Sequence, residues 1–117
     1  MAKNDYFVIV YKILSYLYEC MKAGKEPAQE DIACDSQLFH ISQRYWNHIM
    51  SELVAREYVI GIYEVETLGM HGFVIGRDAA ITMSGMQFLE ENSMMHKVKK
   101  FLGKGFELSL GPMISLL

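Results

Sequence analysis

The stretch that decides the fold is SQRYWNHIMSELVAREYVIGIYEVETLGMHGFVIGRDAAITMSGMQFL, residues 42–89. Its first part carries four apolar side chains at spacings of three and four residues, the pattern of one helix face: Trp46, Ile49, Met50 and Leu53. Ser42 stands before them, and its hydroxyl is suited to accept a hydrogen bond from an amide of the first turn. We therefore expect an amphipathic helix over residues 42–58, with Trp46 buried in the core.

A two-stranded ribbon is predicted after this helix. Residues 58–65 are rich in valine, isoleucine and tyrosine, as β-strands are. Three glycines then predict a loop or hairpin tip: Gly69, Gly72 and Gly76. We expect a return strand around residues 72–75 and a further short strand at residues 79–81.

A helix is predicted to follow the ribbon. Thr82 is suited to cap it, and Met86 and Leu89 continue the helical spacing of apolar residues. Gly85 lies early in this helix, where glycine is less favourable than alanine by roughly 1 kcal/mol. We expect Gly85 to allow a neighbouring element to approach the helix closely.

The flanking sequence completes the predicted architecture. A first helix is expected over residues 6–21 and is ended by Gly24; Pro27 opens a short second helix over residues 28–34. A fifth helix is expected over residues 94–102. The fold class is therefore α+β, a winged helix-turn-helix with three N-terminal helices, a β-hairpin wing and two C-terminal helices. This domain would span residues 1–104, followed by an apolar C-terminal tail, residues 105–117, that we expect to serve in oligomerisation.

Three segments of the chain resemble the YjcQ-like family of small winged-helix proteins from Gram-positive bacteria and their prophages. They are YKILSYLYECMKAGKEP, REYVIGI and AITMSGMQFLEENSMM, which begin at residues 11, 56 and 80. The resemblance covers roughly residues 5–102. It implies a winged-helix fold and a mobile-element setting. It implies no established activity, so no functional residue is carried over.

Composition limits the class of protein. The chain has 117 residues, of which 51% are hydrophobic and 12% aromatic, and these values exclude a disordered chain. No apolar run approaches the roughly 20 residues that span a bilayer, and no signal peptide is visible, so we expect no membrane association. Cys20 and Cys34 are interpreted as reduced thiols of a cytoplasmic protein.

The net charge of −3 is unevenly distributed. Four lysines cluster near the C-terminus: Lys97, Lys99, Lys100 and Lys104. The sequence before this cluster is acidic. This cluster would either contact phosphates or form the solvated face of the last helix, and the second interpretation is favoured. An acidic chain is not typical of a protein that binds nucleic acid by electrostatic attraction.

The helix over residues 42–58 would be the recognition helix of a winged-helix domain. Its polar face and the wing supply the candidate contacts to double-stranded DNA: Gln43, Arg44, Asn47, His48, Ser51 and Arg77. Arginine and asparagine are side chains that read base edges with two hydrogen bonds. The alternative is an ordinary solvated helix face, which Glu52 and the lack of basic phosphate anchors favour.

Metal, cofactor and catalytic sites are not predicted. Cys34, His40 and His48 do not have the spacing of a common zinc site, and a fourth ligand is missing. The sequence contains no nucleophile elbow, phosphate-binding loop or metalloprotease motif. We therefore expect that the protein is not an enzyme and that it takes no cofactor and no small-molecule substrate.

Two functions remain from this reasoning. The first is a DNA-binding, transcription-regulator-like protein of a bacterial chromosome or prophage, acting as a homodimer whose apolar tail docks on a second copy. The rival is a winged-helix protein–protein interaction module or phage accessory factor that uses the ribbon and does not bind DNA.

Overall fold

The computed structural model describes residues 5–92, which form three α-helices and one antiparallel hairpin. The elements in chain order are α1 Tyr6–Ala23, α2 Gln43–Ala55, β1 Val59–Thr67, β2 Met70–Ile81 and α3 Met83–Glu91. This α+β arrangement is compatible with a winged helix. Within the described part of the chain, no helix is both long and apolar enough to cross a bilayer.

The predicted second helix over residues 28–34 is wrong. The chain forms only a short 3₁₀ turn, Gln29–Asp31. The Tyr16 hydroxyl of α1 accepts a hydrogen bond from the Ala28 amide at 3.0 Å and donates one to the Asp31 carboxylate at 2.7 Å. An isolated antiparallel bridge between Asp35 and His40 then closes the following loop. These contacts to other parts of the chain replace the hydrogen bonds that a helix would need.

Two α-helices, not three, therefore precede the hairpin, and α3 follows it. The predicted fifth helix over residues 94–102 lies outside the described residues. So does the apolar tail over residues 105–117, together with the dimer predicted from it.

Helix α1 is the central element of the fold. It ends as predicted at Gly24, which has a left-handed φ of 70° and donates its amide to the Met21 carbonyl. Ile9, Ile13 and Leu14 are fully buried, and even Lys12 and Glu19 on other faces of the helix are only 4% exposed. Because burial extends around the helix, the rest of the domain is arranged about α1.

Helix α2 packs its apolar face into the same core. Trp46 is 2% exposed, which confirms its predicted burial. Its indole N–H donates to the Ile32 carbonyl at 2.7 Å, and its ring lies edge-on to Phe73 of β2. The single tryptophan thus joins α2, the loop before it and the hairpin.

The hairpin turns through Leu68 and Gly69, which have φ values of 52° and 77°. Two positive φ values in a two-residue loop are the geometry of a type I′ turn. The prediction of two separate return strands is wrong, because β2 is one strand and contains Gly72 and Gly76. Of the three glycines predicted to form the tip, only Gly69 lies in the turn.

A bulge divides the hairpin into a base and a tip. Ile60 pairs with Ala80 but Ile62 pairs with Ile75, so residues 76–79 bulge out opposite Gly61. Gly61 has a φ of 73°, and a Cβ there would lie 2.7 Å from the Ala79 Cα. Position 61 therefore requires glycine both for its backbone conformation and for the space.

Helix α3 closes the domain beside the hairpin base. The Thr82 hydroxyl accepts a hydrogen bond from the Gly85 amide at 3.2 Å, which confirms the predicted cap. A Cβ at Gly85 would overlap the Tyr58 carbonyl and lie 2.6 Å from the Ile81 Cγ1 atom. The close approach predicted at Gly85 is confirmed, and the neighbour is the start of the hairpin.

Candidate functional site

The predicted recognition helix presents its polar face to solvent. The Ser42 hydroxyl accepts a hydrogen bond from the Tyr45 amide at 3.2 Å, so α2 begins at Gln43 as predicted. The helix ends at Ala55, three residues earlier than expected, and Glu57 takes a positive φ of 58° as the chain turns into β1. Four of the predicted contacts on this helix are exposed: Gln43, Arg44, His48 and Ser51. The fifth, Asn47, is half-buried.

Two of these side chains already have partners within the protein. The Gln43 Nε2 atom donates to the Asn47 Oδ1 atom at 2.9 Å, and the Asn47 Nδ2 atom donates to the His71 carbonyl at 2.9 Å. The Cys34 thiol lies 3.2 Å from the Gln43 Oε1 atom. Reading adenine requires both polar atoms of an asparagine amide. In this conformation the Asn47 amide is used to hold α2 against the wing.

The other predicted contacts on α2 differ from one another. Arg44 and Ser51 are exposed and make no side-chain hydrogen bond or ion pair within residues 5–92. His48 is exposed, but its ring lies edge-on to Tyr6 at a centroid distance of 5.8 Å. Of the predicted contacts on α2, Arg44 and Ser51 are thus the two that are exposed and make no side-chain hydrogen bond, ion pair or ring contact within residues 5–92.

Arg77 lies apart from the α2 residues, in the hairpin bulge. Its side chain is 90% exposed, and its Nε atom is 3.8 Å from a Glu26 carboxylate oxygen. The adjacent Asp78 accepts a hydrogen bond from the Tyr63 hydroxyl at 2.9 Å, and this bond raises the pKa of Tyr63. The structure records no hydrogen bond, ion pair or ring contact between Arg77 and the predicted α2 residues within the described part of the chain.

The charge around α2 and the wing is unfavourable for phosphate binding. Residues 5–92 contain six lysines and arginines against 13 aspartates and glutamates. Lys22 pairs with Glu19, Arg56 with Glu52, and Lys12 is buried. Among the described residues, the exposed cations without a carboxylate partner are Lys25 and Arg44. This surface therefore lacks a continuous positive strip. Duplex DNA is normally held by several contacts between phosphates and basic side chains, which such a strip would supply.

The sequence reasoning named no residue of the most unusual surface, which is the outward face of the hairpin. We call it the outer wing face; it consists of six exposed apolar side chains: Ile60, Tyr63, Val65, Leu68, Met70 and Val74. Tyr63 pairs with Val74 across the strands, whereas the neighbouring pair Ile62 and Ile75 is buried on the core side. Val65 is 38% exposed and Leu68 is 98% exposed. The content of β-branched residues predicts strand β1, but it does not reveal that the exposed face of the hairpin carries apolar side chains.

The histidine and cysteine side chains of residues 5–92 do not form a metal-ligand cluster. These residues contain no group of three or more histidine, cysteine, aspartate or glutamate side chains that is able to hold an ion. His40 forms an exposed pair with Asp35, and His71 forms one with Glu64. Cys20 is a free buried thiol, and its burial raises the pKa of the thiol and so suppresses the reactive thiolate.

Comparison with known proteins identifies a family. The family model described as YjcQ protein matches residues 11–104, which is most of the chain. No curated protein matches the chain. No solved structure matches it either.

Proposed function

The chain belongs to the YjcQ family, and we propose that it is a winged-helix protein–protein interaction module whose contact surface is the outer wing face. The observation that carries this proposal is the sidedness of the hairpin. Ile62, Phe73 and Ile75 fill the core from one face, and the opposite face is apolar but exposed. A hairpin that packs on one side only normally carries polar side chains on the other.

The energetics favour contact with another protein. Fully burying an aliphatic or aromatic side chain is worth about 1.5–3 kcal/mol, and clustered exposed apolar side chains usually mark an interaction site. Tyrosine and methionine, present here as Tyr63 and Met70, are enriched in protein–protein interfaces. In this proposal the protein acts as an accessory factor of a phage or other mobile element, the setting that the family resemblance implies.

Affinity capture of partner proteins from a lysate of the bacterium that carries the gene, with matched variants, tests the proposal. The double variant Tyr63→Ser and Val74→Thr removes apolar surface from the centre of the outer wing face. Arg44→Ala removes the exposed cation of α2 and is the control. We expect proteins that are retained by the wild type and by Arg44→Ala to be lost with the double variant. Retention of the same proteins by all three would overturn the proposal.

DNA binding by a homodimer is the second candidate. It is supported by Arg44 and Ser51, which are exposed on the outward face of α2 and make no bond within the described residues. A gel-shift titration against genomic fragments at low salt tests it. Binding that weakens steeply with salt and is reduced by Arg44→Ala would favour DNA. No retarded species at micromolar protein would exclude it.

A further inference from the structure

The two edges of the hairpin are treated differently by the rest of the domain. The sheet has two strands, so each strand has one edge whose main-chain groups do not face its partner. On β2 these groups belong to His71, Phe73 and Ile75, as the hydrogen bonds to Gln29 and Asn47 show. Across the ladder from them stand Glu66, Glu64 and Ile62 of β1. In an antiparallel pair both opposed residues of this type direct their amides and carbonyls outward.

The β2 edge is covered by two side-chain amides, which occupy three of the six outward main-chain groups of His71, Phe73 and Ile75. The Gln29 Nε2 atom donates to the Phe73 carbonyl at 3.2 Å, and the Gln29 Oε1 atom accepts from the Ile75 amide at 3.3 Å. The Asn47 amide covers the His71 carbonyl two residues further along. Gln29 and Asn47 thus occupy the positions that a third strand would take, which is one way proteins protect sheet edges.

The β1 edge is open at the tip of the hairpin. Glu64 and Glu66 are exposed, and their outward main-chain groups have no hydrogen-bond partner among residues 5–92. Ile62, the next outward position, is buried and marks the inner limit of the open edge. Between these positions, Tyr63 and Val65 direct their side chains to the outer wing face. The open edge therefore adjoins apolar surface that an added strand would extend.

The charges on this edge select the partner. A second copy pairing antiparallel about a two-fold axis centred on residue 64, 65 or 66 would bring Glu64 or Glu66 opposite a glutamate, and a register centred on Tyr63 would need the main chain of the buried Ile62. Like charges directly opposite each other destabilise a strand pair, so self-pairing is disfavoured. A strand with lysine or arginine at these positions would gain the opposite-charge pair instead. Glu66 makes no ion pair within the described residues, whereas Glu64 contacts His71.

We propose that the β1 edge at Glu64 and Glu66 binds an extended segment of a partner protein, in which basic residues alternate with apolar ones. The segment adds a third strand to the hairpin. Its main chain pairs with the four outward groups of Glu64 and Glu66, its basic side chains face the two carboxylates, and its apolar side chains lie beside Tyr63 and Val65. This inference rests on the proposed function, because it specifies the partner of the same wing.

Titration of the full chain, labelled with ¹⁵N, tests the inference by NMR. The probes are two synthetic peptides of about seven residues, one alternating lysine with valine and the other glutamate with valine. We expect the lysine peptide to shift the amide signals of Glu64 and Glu66 in a saturable way. The amides of Phe73 and Ile75, on the closed edge, should shift less. The glutamate peptide should bind more weakly.

Charge variants sharpen the test. Glu66→Gln should lower the affinity for the lysine peptide roughly two- to fivefold, the range expected for the loss of one opposite-charge cross-strand pair. Glu64→Lys combined with Glu66→Lys should reverse the preference in favour of the glutamate peptide, with a dispersed spectrum reporting that the variant is folded. If the double variant does not fold, Glu66→Lys alone should narrow or reverse the preference, since it breaks no ion pair in the described chain.

Three results would overturn the inference. They are the absence of saturable shifts at Glu64 and Glu66, equal binding of both peptides by the wild type, and a dimer in solution whose interface protects these two amides. Failure of the peptides, together with partner capture that still requires Tyr63 and Val74, would reject the added strand but keep the proposed function. Capture that does not depend on the outer wing face would reject the proposed function itself.

Discussion

The side-chain amide of Asn47, in α2, donates a hydrogen bond to the main-chain carbonyl of His71, in β2, at 2.9 Å. The contact joins two elements that a winged-helix DNA reader would use separately, the recognition helix and the wing. It also closes part of the β2 edge. An asparagine that the sequence predicts to contact DNA is thus a structural link.

Removing this link should loosen the wing. Asn47→Ala deletes the bond to His71 and the one from Gln43, and we expect it to lower the free energy of unfolding by about 1–3 kcal/mol. Amide exchange at the hairpin tip should quicken. Ser51→Ala, on the same helix and without a bond in the described residues, should change stability by less than about 0.5 kcal/mol. Urea denaturation of both variants checks this, and equal stabilities would contradict it.

The bulge glycine should be intolerant of any side chain. Gly61→Ala combines a positive φ of 73° with a Cβ placed 2.7 Å from Ala79 main-chain atoms, so we expect a loss of about 2 kcal/mol or more. Gly72→Ala is the matched control, because nothing lies within 4 Å of its added Cβ and its φ is not positive. Thermal unfolding should show a clear fall in Tm for the first variant alone. A similar Tm for both would mean that the bulge is adaptable.

Alkaline pH should destabilise the fold through Tyr16. Burial, with the hydrogen bond to Asp31, raises the pKa of this phenol well above its usual range, although the bond from the Ala28 amide opposes the change. The folded protein therefore holds the proton more tightly than the unfolded chain. This contribution to stability is complete below the ordinary tyrosine pKa of about 10 and decreases as pH rises above it.

Urea unfolding at pH 8 and above pH 10 measures this dependence. Tyr16→Phe should be less stable at pH 8 by about 1–3 kcal/mol, since the Ala28 amide loses its acceptor, and its stability should fall less between the two pH values. Tyr18→Phe, at a half-buried tyrosine of the same helix, is the control. The remaining alkaline loss in Tyr16→Phe reports the other groups whose pKa is raised in the folded protein: Tyr6, Tyr11, Tyr45, Tyr63 and the Cys20 thiol. An unchanged pH dependence in Tyr16→Phe would exclude the mechanism.

Trp46 provides a fluorescence test of the core. Because it is the one tryptophan and is 2% exposed, native emission should be blue-shifted relative to the unfolded protein. Trp46→Ala should cost about 3–5 kcal/mol and leave the Ile32 carbonyl without its donor. Trp46→Phe, which keeps most of the volume but not the N–H, should cost less. Red-shifted native emission would contradict the packing.

Local pattern was enough to predict the elements whose determinants are local. The apolar spacing of Trp46, Ile49 and Leu53, with the Ser42 cap, placed the start of α2, and Gly24 placed the end of α1. Features set by distant parts of the chain were not accessible in this way. The short 3₁₀ turn depends on the bond between Tyr16 and Asp31, which are 15 residues apart.

The same limit applies to the candidate site. Exposure of Arg44 and Ser51 follows from their helical phase and was predicted. The engagement of Asn47 depends on a carbonyl 24 residues away, and no spacing in α2 reveals it. The open edge at Glu64 and Glu66 is defined by comparison with the β2 edge, which Gln29 closes from a turn that precedes the hairpin by many residues. Such an asymmetry appears only once the chain is folded.

Burial around most of α1 affects the nascent chain, because the parts that cover this helix are made after it. The helix leaves the ribosome before the elements that pack most against it, β2 and α3, which begin at Met70 and Met83. Until they emerge, only α2 and the loop before it can cover Ile9, Ile13 and Leu14, and part of α1 stays uncovered. The nascent chain must therefore carry an incompletely covered apolar helix until the hairpin and α3 have emerged, a state that chaperones bind and that favours aggregation. The yield of native protein should depend on what binds this helix during translation as well as on the stability of the finished domain.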